Sequence, residues 1–171
     1  PDNYKESTVP KINFDTVDKV MKICYENCIG MRAHTLVWHS QTPQWFFKNE
    51  YSASNGYVSQ SVMDARMEFY IKTVMNHVYS SSYGSCVYAW DVVNEAVSDA
   101  TNTIRKGDGT GIDTASVKTS WYDIFPQDDT FICEAFKIAN KYAPKDVKLF
   151  YNDYNDTTPA KVKGICTLLS H

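Results

Sequence analysis

The feature that most constrains the fold is an alternation of two hydrophobic periods along the 171 residues. Segments in which apolar residues recur every three or four positions, as in amphipathic helices, alternate with three short runs rich in β-branched and aromatic residues, as in strands. These runs are GMRAHTLVWH, CVYAWDVVNE and VKLFYND. The order helix–strand–helix–strand–helix–strand–helix predicts an α/β fold with parallel strands and crossover helices, either a barrel or a doubly wound sheet.

Two helices are predicted before the second strand-like run. The first is predicted to be capped by Asn13, and its apolar face consists of Phe14, Val17, Met21, Cys24 and Cys28. The second is predicted to open with a capping box formed by Ser61 and Asp64. Its apolar face consists of Met63, Met67, Tyr70, Val74 and Val78.

Two further helices are predicted on either side of the third run. One ends before Pro144, and its apolar face consists of Ile132, Ala135, Phe136 and Ala139. The other starts at Thr158 and Pro159, a cap followed by a proline in the first turn. Its buried face is predicted to consist of Val162, Ile165, Cys166 and Leu169. The segment 96–128 has no regular period and is predicted to be a long loop.

Polar residues lie at the carboxyl ends of all three strand-like runs. They are His34, Trp38, His39 and Gln41 in and after the first, Asn94 and Glu95 at the second, and Asn152, Asp153 and Tyr154 at the third. Long loops on this side of the strands build the active face of a (β/α) barrel, so we predict a shared site there. No glycine fingerprint for a dinucleotide follows any run, which disfavours a doubly wound nucleotide-binding sheet.

Composition excludes several classes of function. The net charge is −3 and no basic block is present, which disfavours nucleic-acid binding. No apolar run approaches the roughly 20 residues of a membrane span. The five cysteines match no zinc-binding spacing, and most are predicted to be buried free thiols. Aromatic residues make up 14% of the chain, which suits a large core and also ligands that stack on rings.

Glu95 is the strongest candidate for chemistry because it ends an otherwise apolar strand. It is either a structural ion pair or solvated strand end, or an acid held in an apolar, aromatic-lined cleft. A carboxylic acid in such a cleft can carry a proton near neutral pH. Strand alternation predicts that Asp91 and Glu95 share one face and Asn94 the other, unless a bulge intervenes. Asp91 is either a second acid or, as we predict, a buried orienting residue that hydrogen-bonds to a histidine or an arginine.

The two histidines of the first run are weak metal-ligand candidates. His34 and His39 are five residues apart, so on a strand they would point to opposite faces. We therefore expect no metal site and no cofactor. Trp38 suits either the core or the wall of a sugar site.

Three blocks of the chain resemble glycoside hydrolase family 10 β-1,4-xylanases. They are MRAHTLVWHSQTPQWF, YAWDVVNEA and KLFYNDYN, in the family's order and with compatible spacing, and WYDIF and CEAFKIANKYAP resemble the stretch between the second and third blocks. The resemblance implies a (β/α)8 TIM barrel, of which this chain supplies about three βα units, corresponding to strands three to five. It also implies retaining, endo-acting hydrolysis of xylan.

The resemblance also implies a role for each of several residues. Glu95 corresponds to the general acid/base, and Asn94 to the residue that hydrogen-bonds the 2-hydroxyl of the sugar in the −1 subsite. The remaining implied substrate-binding residues are His34 and Trp38 in the −1 subsite, Gln41 at the −2 sugar, and Asn152 and Tyr154 near the leaving group.

Parts of the family pattern have no match. The family's nucleophile is a glutamate in a TELD-like block on strand seven, and no such block occurs, nor does the strand-one block with its lysine. Pro1 and Asp2 resemble the residues just past strand two, and Phe125-Pro126 replaces a motif that commonly contains glycine. We therefore expect residues 1–171 to form part of a single catalytic domain, with the nucleophile and the remaining barrel segments on another fragment or an unrecorded part of the chain. Alone, these residues are not expected to hydrolyse xylan.

The resemblance implies that the partner is xylan or a xylo-oligosaccharide. Composition is the reason that neither nucleic acid nor a membrane is expected as a partner. A polymeric substrate implies a secreted protein, although the chain shows no signal peptide. The alternatives are a catalytically inactive xylan-binding fragment or pseudoenzyme, and a barrel enzyme that acts on another β-glucan, a choice that Trp45 and Phe46 could influence.

Overall fold

The structure, a computed structural model, describes residues 10–105, 120–125 and 129–170. The strands are β1 (Met31–Trp38), β2 (Val87–Asn94) and β3 (Lys148–Asn152). The helices are α1 (Asp15–Glu26), α2 (Gln60–Ser80), α3 (Ser120–Ile124), α4 (Thr130–Tyr142) and α5 (Pro159–Leu169). The predicted alternation is confirmed for three strands and four helices, and α3 is an additional short helix in the predicted loop. Pro1, Asp2 and Pro126 lie outside the described residues.

The three strands form one parallel sheet in the order β1-β2-β3. A barrel adds neighbouring strands in sequence order, whereas a doubly wound sheet reverses direction at a switch point. The observed order therefore agrees with the barrel and not with the alternative sheet. The pairing slips three times, between Met31 and Arg32 and between His34 and Val37 on β1, and between Asp91 and Val93 on β2. The last two slips occur just before the strands reach their carboxyl ends.

The helix starts partly match the predicted caps. Ser59, not Ser61, caps α2, and its hydroxyl accepts a hydrogen bond from the amide of Val62 at 3.4 Å. The side chain of Asn13 accepts a hydrogen bond from the amide of Asp15 at 2.8 Å. Asn13 therefore pairs with an amide of the first turn of α1, although it lies one residue before the N-cap, Phe14. Thr158 occupies the cap of α5, with Pro159 in the first turn as predicted.

The helices and strands enclose an apolar core. α2 packs against α4, and α4 also contacts β2 and β3. The predicted face of α2 is confirmed for its methionines and valines, while Tyr70 is only partly buried. Aromatic rings fill the centre, where Trp121 stacks on Phe131 with ring centroids 5.7 Å apart and meets Phe47 edge-on at 5.1 Å.

The predicted buried faces of α1 and α5 are wrong in part. On α1 only Met21 is buried, Val17 is 40% exposed, and Cys28 lies beyond the helix end. On α5 the buried residues are Lys161 and Leu168, whereas Leu169 is 63% exposed. The reason on α5 is that the helix packs against the loop that follows β2, and this contact selects a face that is not the most apolar one.

The predicted burial of the cysteines is also wrong. All five are free thiols, but Cys28 and Cys166 are exposed and the other three are only half-buried. The two exposed thiols lie just past the end of α1 and on the outward face of α5. In the described parts of the chain, none of the helices combines the length and apolar composition that a bilayer crossing requires.

Candidate active site

A buried carboxylate at Asp91 organises the middle of the site. Nε of Arg32 donates to Oδ1 of Asp91 at 2.6 Å, and Nδ1 of His34 lies 2.9 Å from Oδ2. The hydroxyl of Thr35 donates to the Asp91 carbonyl at 2.8 Å. Asp91 is 4% exposed, so the prediction of a buried residue bonded to a histidine or an arginine is confirmed, and it bonds to both. Both carboxylate oxygens are engaged, which makes Asp91 an orienting group for the exposed His34 ring.

Glu95 lies directly after β2, with its side chain 20% exposed. Nε1 of Trp38 donates to Oε2 of Glu95 at 3.0 Å, and Nε2 of His39 is 4.0 Å from the same oxygen. The main-chain amide of Glu95 donates to the carbonyl of Asn152 at 2.9 Å. The carboxyl group thus has one firm hydrogen-bond donor and remains accessible to a ligand.

The strand alternation that would place Asn94 and Glu95 on opposite faces is interrupted by an irregularity of the kind that the prediction allowed for. The register slip after Asp91 interrupts the alternation of β2, and Glu95 then adopts the left-handed backbone conformation, with φ 52°. Both changes reorient the strand end. As a result Trp38 can reach Glu95 and Asn94 together.

Asn94 is 2% exposed and joins the ends of all three strands. With the side-chain nitrogen facing β3, Asn94 donates to the main-chain carbonyl of Asn152 at 3.2 Å. With its amide oriented so that the oxygen faces Trp38, Asn94 accepts from Nε1 of Trp38 at 3.0 Å. Nη2 of Arg32 donates to Oδ1 of Asn152 at 3.3 Å, which connects this group to the Asp91 cluster.

His34, Trp38 and Gln41 border a cavity of 510 Å³ on the β1 side of the site. The rings of His34 and Trp38 meet edge to face with centroids 5.8 Å apart. Gln41 is exposed and has a positive φ of 60°, which turns the chain at the cavity mouth. Trp45 and Tyr70 supply further aromatic lining. An aromatic, partly polar cavity of this kind suits a sugar ring, which can stack one face on an aromatic side chain and form hydrogen bonds through the hydroxyl groups at its rim.

Tyr154 is the one predicted site residue that the structure places apart from this group. It is 49% exposed, and its ring centroid lies 5.5 Å from Nζ of Lys161. Its side chain also hydrogen-bonds to Asp99. The structure therefore brings together Glu95 and the other strand-end residues, and it associates Tyr154 with a neighbouring ionic cluster.

The sequence patterns did not reveal the residues that support Trp38. Nε1 of Trp121, on α3, donates to the carbonyl of Trp38 at 3.1 Å, and the hydroxyl of Thr42 donates to the same carbonyl at 3.0 Å. Trp121 is 3% exposed and is held by the aromatic core. No local signal identifies such a partner, because Trp121 lies 83 residues from Trp38 in sequence.

Within residues 10–105, 120–125 and 129–170, no three His, Cys, Asp or Glu side chains are grouped as ligands for an ion. His34 and His39 instead contact different carboxylates, Asp91 and Glu95.

Residues 2–171 match the sequence family described as Glycosyl hydrolase family 10. The chain belongs to this family. It is 44% identical over 171 residues to endo-1,4-beta-xylanase A of Butyrivibrio fibrisolvens, an alignment that covers 100% of this chain and 39% of the relative. It is 44% identical over 169 residues to endo-1,4-beta-xylanase Y of Acetivibrio thermocellus, covering 93% of this chain and 15% of that protein. The chain thus spans less than half the length of these family 10 relatives.

Solved family 10 structures share the fold. The xylanase 10B modules of Clostridium thermocellum, complexed with xylohexaose, match with a TM-score of 0.78 at 40% identity, over 88% of this chain and 29% of that one. The intracellular xylanase TsXylA of Thermoanaerobacterium saccharolyticum matches with a TM-score of 0.77 at 30% identity, over 95% of this chain and 45% of that one. The fold is accordingly the (β/α)8 barrel of family 10, and β1, β2 and β3 are three adjacent strands of it.

Proposed function

We propose that this chain carries the general acid/base part of a retaining endo-1,4-β-xylanase. The observation that carries the proposal is the position of Glu95, an accessible carboxyl group that accepts from the indole of Trp38 and lies beside Asn94 at the active face of the sheet. Support for the substrate comes from the relatives, which are named endo-1,4-beta-xylanases, and from the neighbour that was solved with xylohexaose.

In the proposed reaction Glu95 acts twice. It first donates a proton to the glycosidic oxygen as that bond breaks and the second carboxylate attacks the anomeric carbon. It then accepts a proton from the water that hydrolyses the glycosyl-enzyme. The nucleophilic carboxylate is assigned to a segment outside these 171 residues. Among the chain's own acids near the strand ends, Asp91 is engaged by Arg32 and His34. The side chain of Asp153 is 2% exposed and pairs with Lys161.

The proposed substrate contacts follow the geometry of the strand ends. Asn94 hydrogen-bonds the 2-hydroxyl of the sugar that reacts, and His34 and Trp38 form the polar and aromatic sides of the same subsite. Gln41, at the cavity mouth, contacts the next sugar on the non-reducing side. Asn152 and Tyr154 are assigned to the leaving-group side, where exposed Tyr154 offers a ring to a sugar.

The protein is also proposed to be secreted, because xylan is a polymer that is located outside the cell membrane. In this proposal residues 1–171 form part of one catalytic domain, and the remaining barrel segments complete it. One structural neighbour is described as an intracellular xylanase, so detection of the protein in cells and in medium decides the location.

The experiment follows the products formed by the full-length protein from xylohexaose. Proton NMR at early times should show new reducing ends in the β configuration, and chromatography should show cleavage at internal bonds. Initial α products would contradict retention, and release of xylose alone would contradict endo action. Saturable binding of xylohexaose without any product would favour the inactive xylan-binding alternative.

A further inference from the structure

The backbone of Glu95 is held at both of its polar groups. Its amide donates to the carbonyl of Asn152 at 2.9 Å, and its own carbonyl accepts from Nε of Arg105 at 2.9 Å. These two bonds bracket a residue whose φ is 52°, a conformation that L-residues adopt rarely and that its surroundings must maintain. Asn152 belongs to the sheet, whereas Arg105 belongs to the loop that follows Glu95.

Loop 96–105 folds back so that Arg105 reaches Glu95. Val97 and Ile104 form an antiparallel bridge, and the amide of Arg105 donates to the carbonyl of Ala96 at 3.0 Å. The Arg105 residue is 3% exposed. A buried guanidinium has lost its hydration and needs hydrogen-bond acceptors, so its bond to the Glu95 carbonyl is not easily exchanged for water.

Helix α5 fixes loop 96–105 from the other side. Nζ of Lys161 donates to the carbonyl of Val97 at 2.6 Å and to Asp99 at 2.9 Å, and it lies 3.0 Å from Oδ1 of Asp153. Gly164 lets the helix approach closely, since a Cβ atom there would lie 2.2 Å from the carbonyl oxygen of Asn102. The loop that carries Arg105 is therefore anchored on both sides.

We propose that Arg105 is a positioning residue for Glu95, holding the left-handed backbone turn that aims the carboxyl group at Trp38. The inference rests on the proposed role of Glu95 in proton transfer. Arg105 acts through the Glu95 carbonyl and does not contact the substrate. Loss of its bond lets the Glu95 turn relax, which displaces the carboxyl group from the glycosidic oxygen. Misplacement by about 1 Å can cost on the order of 100-fold in rate.

The test compares Arg105→Met with Arg105→Lys in the full-length protein. The first readout is the indole ¹H–¹⁵N signal of Trp38, because this N–H donates to Glu95. Arg105→Met should shift the signal toward its position in Glu95→Ala. Arg105→Lys keeps a buried charge but has no Nε–H, so it should shift the signal in the same direction by less. Val78→Ala, a buried change on α2, controls for general loss of stability and should leave the signal in place.

The second readout is catalysis. Arg105→Met should lower kcat on xylan by about 10- to 100-fold with little change in KM, while an aryl xyloside with an acidic phenol is affected much less. A Trp38 signal in Arg105→Met that matches the wild type would overturn the proposal. If Arg105→Met does not fold, a wild-type signal and rate in Arg105→Lys would overturn it as well. The NMR readout does not require catalysis. A wild-type protein that is inactive on xylan would contradict the proposed function, while the Trp38 signal would still test whether Arg105 positions Glu95.

Discussion

Nε1 of Trp38 and Oε2 of Glu95 lie 3.0 Å apart, and this hydrogen bond connects the carboxyl ends of β1 and β2. The two residues are 57 positions apart in sequence. Trp38 is itself held at its carbonyl by Trp121, so the aromatic core supports the group that faces Glu95. The acid is therefore aligned by a contact that depends on the packing of α3, which the strands alone do not provide.

The first prediction concerns proton donation by Glu95. Glu95→Ala should lower the rate of glycosylation on xylan by about 100- to 10,000-fold, because the leaving alcohol needs protonation. An aryl xyloside with an acidic phenol should lose much less in the same step. Pre-steady-state rates on the two substrates provide the measurement, with Glu134→Ala on the surface of α4 as the control. Equal losses on both substrates would rule out a proton-donor role.

The second prediction concerns Asn94. Asn94→Ala should lower kcat more than it raises KM, because the proposed bond to the 2-hydroxyl strengthens as charge develops at the anomeric carbon. Steady-state kinetics on xylo-oligosaccharides measure the split. The thermal midpoint should be recorded as well, since Asn94 is buried against Asn152. A raised KM with unchanged kcat would mark Asn94 as a residue that binds ground state and transition state equally.

The third prediction concerns the buried ion pair of Lys161 and Asp153. Lys161→Met should lower the free energy of unfolding by about 3–5 kcal/mol, because it leaves the Asp153 carboxylate buried without its cation. The double variant Lys161→Met with Asp153→Asn should recover part of the loss. Denaturant unfolding of the full-length protein measures both. The control is Lys137→Met, at an ion pair whose lysine is 74% exposed, and it should change the free energy of unfolding by less than about 1 kcal/mol. A similar loss for Lys161→Met and Lys137→Met would argue against a stabilising role of the buried pair.

The fourth prediction compares two glycines. Helix propensity alone predicts that Gly164→Ala stabilises α5 by about 1 kcal/mol. The contact of the new methyl group with the Asn102 carbonyl reverses this effect, and we expect Gly164→Ala to lower the free energy of unfolding by about 1–3 kcal/mol. Gly56→Ala has no atom within 4 Å of the new methyl group and should be nearly neutral. Thermal unfolding of the two variants checks the contrast, which would fail if Gly164→Ala were the more stable one.

The fifth prediction is a pH dependence at Asp99. Burial raises the pKa of its carboxyl group, but hydrogen bonds from Tyr154, Lys161 and Asn155 outweigh this, so the pKa lies below its ordinary value. A depressed pKa in the folded state stabilises the protein above the unfolded pKa of about 3.9, and this contribution is lost as the pH falls through the folded pKa.

The measurement for Asp99 is the difference in unfolding free energy between the wild type and Asp99→Asn. It should be constant above about pH 5, at about 1 kcal/mol, and shrink below about pH 4 as Asp99 is protonated. The Asp153 carboxylate, which pairs with the same lysine, is present in both proteins, so its contribution cancels in the difference. A difference independent of pH down to pH 2 would contradict the lowered pKa.

Local patterns were sufficient for the architecture. The runs of β-branched and aromatic residues became β1, β2 and β3, and the period of three to four residues became α1, α2, α4 and α5. These features depend on neighbours within a few positions, so the sequence carries them directly. The polar ends of the strands were equally visible, because parallel strands must bring their carboxyl ends to one edge.

The precise alignment of the site residues required the tertiary structure. The slip after Asp91 and the positive φ of Glu95 decide that Asn94 and Glu95 both meet Trp38, whereas a strand that alternates without a bulge would separate them. Arg105 and Lys161 read as ordinary charged residues in a loop and on a helix, yet both are buried.

The sequence by itself determined the strand order, the family and the carboxyl group that ends β2. Only the tertiary structure decided which face of α5 is buried, which residues hold the turn at Glu95, and how the three strand ends connect. The physical reason is the separation in sequence between the residues whose contacts decide each feature. Helix and strand periods arise from steric preferences of adjacent residues, whereas the burial of Lys161 and its bond to Val97 arise from contacts between residues 64 positions apart.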